Sequence, residues 1–170
     1  MTTTEFDRRA LLKWAGLSLA AGLTGTLAGC ATPPSPVTSG SARDHSAPAV
    51  AMLNTLRARK GLPPVTVDRA AAGAAVHQAR RMASAAKMAH LIGLGDDFKS
   101  RMKGDGVALP AAENVAAGQD TLEAAMQAWI DSPKHLHNML GSYRGLGVAV
   151  AYDAGNGNRP YWAMVLSNPG

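Results

Sequence analysis

One cysteine in 170 residues, three Trp, three Tyr and two Phe, and a charged fraction of 17% are what this sequence has little of. A single cysteine excludes a disulfide framework and any zinc site built on several thiolates. No Lys/Arg run is longer than two, and no basic stripe is interleaved with aromatics, so the formal charge of +5 is not a nucleic-acid footprint. No apolar run reaches the roughly 20 residues that a membrane-spanning helix needs. Neither HExxH nor GxSxG occurs, which removes the zinc-protease helix and the nucleophile elbow. No internal repeat is present either.

What is present begins with the first 29 residues. Arg8 and Arg9 precede an apolar run of sixteen residues, Trp14 to Gly29, in the arrangement Arg-Arg-x-Leu-Leu-Lys. That length suits the apolar segment of a signal peptide, and the paired arginines resemble a twin-arginine export signal. The run closes on Leu27-Ala-Gly-Cys30, which resembles a lipoprotein processing box. The expectation is a leader over residues 1–29, with Cys30 lipidated and tethering the chain to a membrane. The leader carries Arg8, Arg9, Lys13, Glu5 and Asp7, so the remainder stays mildly basic, enough for weak attraction to anionic surfaces.

Ala31 to Pro48 is rich in Pro, Ser and Thr and reads as a disordered linker averaging roughly 23 Å end to end, with His45 a solvated bystander. A domain is expected over residues 49–170. Val50, Leu53 and Leu56 recur at helical spacing up to Lys60, where Gly61 and Pro63-Pro64 end the helix. Asp68 suits the N-cap of a second helix, Arg69 to Lys87, whose face of Ala72, Val76, Ala79 and Ala86 must pack closely on something. The stretch from His90 to Gly118 reads as a long loop. A third helix is expected from Asp120 to about Asp131, and a short one after Ser132-Pro133. Gly145–Tyr152 and Tyr161–Ser167 read as a β-hairpin. Helices followed by strands imply an α+β fold, with helices packed on a mainly antiparallel sheet.

Three side chains stand out as a possible site. His90 lies 23 residues before Glu113, and His135 lies 22 after it. Two imidazoles and one carboxylate form a set able to hold a divalent metal such as zinc, or to transfer protons, and they equally suit separate local hydrogen bonds. Asn114 is expected to bond loop backbone. Trp129 and Trp162 read as core, His77 as structural, and His137 as solvent-facing.

The order His90, then AENVA (Ala112 to Ala116), then WIDSPKHLHNML (Trp129 to Leu140), then GLGVAVAY and YWAMVLS, resembles the bacterial branch of the CAP superfamily. That superfamily includes cysteine-rich secretory proteins, insect venom antigen 5 and plant pathogenesis-related proteins. LNTLRARKGLPPVTVD (Leu53 to Asp68) resembles its first helix and turn, so the likeness covers about residues 49–168. It implies a three-layer α-β-α sandwich with a central cleft, lined in many members by two His and two Glu. His90 and Glu113 match the first pair, and His135 the later histidine. Ser132 stands where animal members place the second glutamate, Leu136 replaces a common arginine, and Met164 a frequent glutamine.

The resemblance leaves three readings open. The first is an envelope-anchored binding module for a lipid, sterol-like or cell-wall ligand in the cleft, located in the periplasm or at the cell surface. The second is a metal-assisted hydrolase with Glu113 as base and both histidines as ligands. The third is a structural envelope protein whose trio only pins loops. On all three, Glu113 is expected to sit between His90 and His135.

Overall fold

The computed structural model describes residues 41–169. The leader, the Arg8–Arg9 pair and Cys30 lie outside the described residues. The strands are β1 (Ala42–Asp44), β2 (Thr66–Val67), β3 (Ala112–Ala117), β4 (Gly145–Ala151) and β5 (Tyr161–Ser167). The helices are α1 (Ser46–Arg59), α2 (Arg69–Ser84), α3 (Phe98–Gly104), α4 (Leu122–Ile130) and α5 (Pro133–Met139). The sheet runs β1-β4-β5-β3 with every pairing antiparallel, and β2 adds a short parallel pairing to the start of β4.

Side chains alternate across a strand, so each central strand feeds two cores. Leu146, Val148 and Val150 of β4 and Trp162, Met164 and Leu166 of β5 join Leu53 of α1, Met126 and Trp129 of α4, and Met139 of α5. The intervening Ala149, Ala151, Ala163 and Val165 join the alanines and Met82 of α2 and Met102 of α3. Helices therefore cover both faces of the sheet, and the architecture is the expected α-β-α sandwich. Trp129 and Trp162 are each 1% exposed and belong to the first core, with the Trp162 indole N–H donating to the Gln119 carbonyl at 2.7 Å.

The small-residue face of α2 finds its partner at Gly147. A Cβ there would stand 2.2 Å from the backbone carbon of Ala71 and 2.2 Å from the backbone nitrogen of Ala72. The helix backbone rests directly on the strand, which only alanines and a glycine permit. The α1 side is fastened differently. Arg57, buried at the end of α1, donates to the carbonyls of Pro63 (2.8 Å), Met139 (2.9 Å) and Gly141 (2.9 Å), tying three segments together without a disulfide. Burial lowers its pKa from the ordinary arginine value.

Three expectations need correction. The linker does not extend to Pro48: Ala42–Asp44 pair with Ala149–Ala151, and α1 starts at Ser46, whose N–H donates to Asp44 Oδ1 at 2.8 Å. Polar composition signalled disorder, but an open edge of β4 supplies these residues with backbone partners. His45 is no bystander. Its ring sits tilted against Trp162 with centroids 5.3 Å apart, and the His45 backbone N–H donates to the Val148 carbonyl at 2.8 Å. The stretch from His90 to Gly118 is not all loop, since it holds α3 and β3. The first is only seven residues long with Met102 alone buried, and the second is nearly all small residues, so neither shows a hydrophobic period.

Candidate functional site

Glu113 and Asn114 are neighbours on β3 and so point to opposite faces of the sheet. Asn114, fully buried, faces α5. Its side-chain N–H donates to the His135 carbonyl at 3.1 Å, and its Oδ1 accepts from Asn138 at 2.8 Å. It ties strand to helix across two layers, not loop backbone as the sequence led us to expect. Met164 stands beside it, with its sulfur 3.7 Å from the Asn114 amide nitrogen.

Glu113 faces the α2–α3 side, and its side chain is only 2% exposed. A carboxylate taken from water this completely requires charged or hydrogen-bonded partners. It has both. Arg101 of α3 donates from Nη1 to Oε2 at 3.1 Å and from Nη2 to Oε1 at 3.1 Å, the two-pronged geometry of a guanidinium on a carboxylate. His90 brings Nδ1 within 2.9 Å of Oε1. A carboxylate oxygen accepts, so Nδ1 carries the proton and Nε2 is the ring nitrogen left for other contacts. The His90 side chain is 42% exposed, so that nitrogen belongs to the accessible rim.

Arg101 is held in turn. Its Nη2 also donates to the His90 carbonyl at 3.1 Å, its Nε lies 3.6 Å from Asp96 Oδ1, and its guanidinium stands 5.6 Å from the centre of the Phe98 ring. Asp96 receives Arg81 of α2 and the Ile92 N–H. Burial works to raise the Asp96 pKa, but the hydrogen bonds from Arg81 and Ile92 and the charges of Arg81 and Arg101 outweigh it and hold the group below its ordinary value. Gln78, fully buried in α2, donates to the carbonyls of Ala89 (2.7 Å) and His90 (3.2 Å). The segment carrying His90 is thus fixed by α2 and α3 together.

His135 is not brought onto Glu113. Its backbone carbonyl serves Asn114, and no hydrogen bond joins its ring to the carboxylate. Burial lowers its pKa, followed by the neighbouring His90 and Lys134, so His135 lies near His90 without sharing its carboxylate partner. His90, Phe98, Glu113 and Lys134 line a pocket of about 170 Å³. His77 pairs with Asp105 at 2.7 Å on the exposed side of α2, and His137 is exposed. Arg101 escaped the sequence reading, which weighed histidines and acids alone. The usable signal was physical: a buried carboxylate in a chain with few charges needs a nearby cation.

The sequence matches the cysteine-rich secretory protein (CAP) family over residues 50–166. That span is most of the chain and includes His90, Arg101, Glu113, Asn114 and His135.

The chain belongs to the CAP family.

Solved structures agree on the CAP fold. An outer surface protein of Borrelia burgdorferi superposes with a TM-score of 0.63 at 16% identity, covering 73% of this chain and 92% of that one. An extracellular SCP-domain protein of Bacillus anthracis gives 0.65 at 24% identity, covering 73% of this chain and 40% of that one. A cysteine-rich secretory protein of Staphylococcus aureus gives 0.56 at 18%, covering 74% and 40%. The last two proteins are much longer than this CAP domain. No curated protein matches the sequence. The family's description names cysteines, yet this member has only Cys30, outside the matched span. Packing holds its layers together, Asn114 ties β3 to α5, and Arg57 joins α1 to the end of α5.

A divalent cation does not fit the CAP cleft as it is built here. Both Glu113 oxygens are already bonded to Arg101, one of them also to His90, so a metal would have to displace a guanidinium. Ser132 sits at the N-cap of α5 without a side-chain capping bond and brings no carboxylate there. Among the described residues no three His, Cys, Asp or Glu side chains are grouped to hold a metal ion.

Proposed function

We propose that this CAP domain is exported by the twin-arginine route, anchored through lipidated Cys30, and works in the cell envelope as a binding module. The support for export and anchoring is the leader pattern and the Leu27–Cys30 box; the support for binding is the chemistry of the cleft. The observation that carries it is the double engagement of Glu113. With Arg101 and His90 on its oxygens, the carboxylate is a fixed support and not a base or a metal ligand. The groups left to meet a ligand are His90 Nε2, the ammonium of Lys134 and the Phe98 ring. A hydrogen-bond acceptor, a cation and an apolar wall suit the polar head of an amphipathic or acidic molecule that also carries a hydroxyl or amide donor, which describes lipid and cell-wall ligands. A hydrolase would need a nucleophile and a free base. Ser84 and Lys87 have the spacing of a Ser–Lys pair, but both are exposed at the end of α2.

Native mass spectrometry of the full chain, released gently from envelope membranes, tests the proposal. The expected result is a retained non-protein mass that is lost in Lys134→Glu and in His90→Leu. A bare protein mass, or a retained mass indifferent to both substitutions, overturns the binding reading. A mass increment of one zinc ion, lost in Glu113→Gln, would return the metal-assisted hydrolase to first place.

A further inference from the structure

Four large apolar side chains are exposed among the described residues, and three of them share one segment: Met88 (54% exposed), Leu91 (49%) and Leu94 (109%), between α2 and α3. A loop free to relax would fold such side chains inward, since exposed apolar surface is unfavourable in water. This loop is not free. Lys87 N–H donates to the Met82 carbonyl at 3.0 Å, Gln78 holds the Ala89 and His90 carbonyls, and Arg101 also takes the His90 carbonyl. The Ile92 N–H is fixed on Asp96, and the half-buried Ile92 side chain packs on the α2 core. The inward positions are thus occupied, and Met88, Leu91 and Leu94 are displayed outward by a buttressed backbone. An outward apolar display of this kind marks an interaction surface.

The charges around it say what kind. Within residues 85–104, Lys87, Lys99 and Lys103 are exposed. The only exposed carboxylate of that segment is Asp97, which accepts the Ser100 N–H at 2.7 Å, so the exposed charges, three lysines against one carboxylate, keep an excess of two positive. Asp96 is buried between Arg81 and Arg101. Apolar tips with lysines beside them match a surface that is apolar within and anionic at its boundary. We propose that the Met88–Leu94 loop docks onto an anionic lipid bilayer, with its three apolar side chains in the acyl boundary and Lys87 and Lys99 at the headgroups. This contact is separate from lipidation at Cys30 and from ligand capture in the cleft, and each can fail without the other. If both operate, the loop that carries His90 brings the cleft to the bilayer surface.

The test uses the full chain with Cys30→Ser, so that no acyl group contributes. A polarity-sensitive fluorophore is placed at Leu94→Cys or, as a control, at Ala58→Cys, an exposed position on α1. Phosphatidylcholine vesicles with and without phosphatidylglycerol are then added. The expected result is a blue shift and loss of aqueous quenching at position 94 with anionic vesicles, absent at position 58. Lys87→Glu with Lys99→Glu should raise the lipid needed for half the shift by about tenfold or more, since each lysine near an anionic surface contributes a severalfold gain. Met88→Ser with Leu91→Ser should reduce the shift itself. No shift at 94 overturns the proposal, as does an equal response at 58, which would mean adsorption through the rest of the chain. An equal response to neutral vesicles overturns the anionic assignment. A blue shift that grows with protein concentration in the absence of lipid would assign the loop to contact between protein molecules instead.

Discussion

The two faces of the sheet are built on opposite rules. Toward α1, α4 and α5 the core is made of large side chains, among them Trp129, Trp162, Leu53 and Met139; the polar strand residue anchored in it is the neutral Asn114, and the buried Arg57 guanidinium is bonded to backbone carbonyls. Toward α2 and α3 it is made mainly of alanines, with Met82 and Met102 among them and a glycine at the closest approach, and the polar strand residue anchored there is the charged Glu113. On the first face, stability resides in apolar volume that fills the gap between layers. On the second the layers nearly touch, there is little volume to remove, and the vulnerable quantities are clearance and charge. The candidate site belongs to the second face, where α2 and α3 come close enough to place Arg101 and His90 on the Glu113 carboxylate and the Arg81–Asp96 pair behind Arg101.

The sharpest way to break the comparison is to remove volume from the first face. Trp162→Ala should lower stability by about 3–5 kcal/mol, as deletion of a buried tryptophan does, and the melting temperature by roughly 10 °C or more. A melting point within a degree or two of wild type would mean that the indole does not fill the first core.

A comparable effect on the second face should come from charge. Arg101→Met leaves the Glu113 carboxylate buried with His90 alone, and breaking such a pair typically costs about 3–5 kcal/mol. Adding Glu113→Gln to that variant should restore part of the loss in urea unfolding, because the stranded charge is gone. Simple additivity of the two losses would show that the pair is not coupled.

Smaller effects should separate clearance from volume. Gly147→Ala puts a methyl group into the backbone of α2 and should cost about 1–3 kcal/mol or more. The same methyl at Gly73, in the middle of α2, meets no atom within 4 Å and should stabilise by about 0.5–1 kcal/mol. Opposite signs from one methyl on one face would be read directly from paired thermal melts; equal signs would refute the close approach at Gly147.

The smallest expected effect is in pH. His45 and His135, on the first face, have lowered pKa values, through burial first and then through Arg43 for His45 and through His90 and Lys134 for His135. The unfolded chain therefore takes up protons before the folded one, and stability should begin to fall as pH drops below about 6.5. Asp96, on the second face, is depressed. Its contribution is intact above about 3.9, the value in the unfolded chain, and is lost as pH falls through the lower folded value. Acid titration of stability should show two separate declines. His45→Gln with His135→Gln should flatten only the first, and Asp96→Asn only the second.

How much of this could be read in advance depends on the range of the interaction. Helix spacing in α1, the Asp68 cap, the small face of α2, the β-hairpin of Gly145–Ser167 and the burial of Trp129 and Trp162 were legible, because periodicity, caps and turn residues are local chemistry. The likeness carried by His90, AENVA and SPKH, with the three-layer sandwich it implies, was legible for the same reason: it rests on residues in order along one chain. What only the tertiary structure decided lies between elements distant in sequence. β3 and α3 were hidden because small residues show no period and a seven-residue helix shows almost none. β1 looked disordered because its partners, Ala149–Ala151, lie more than a hundred residues away. The histidine–carboxylate trio was drawn from residue types, but strand alternation sends Glu113 and Asn114 to opposite faces. His135 is thereby held through its carbonyl by Asn114, while Glu113 turns to Arg101. Composition could say that a buried carboxylate needs a cation; only the packing of α3 beside α2 could say which one.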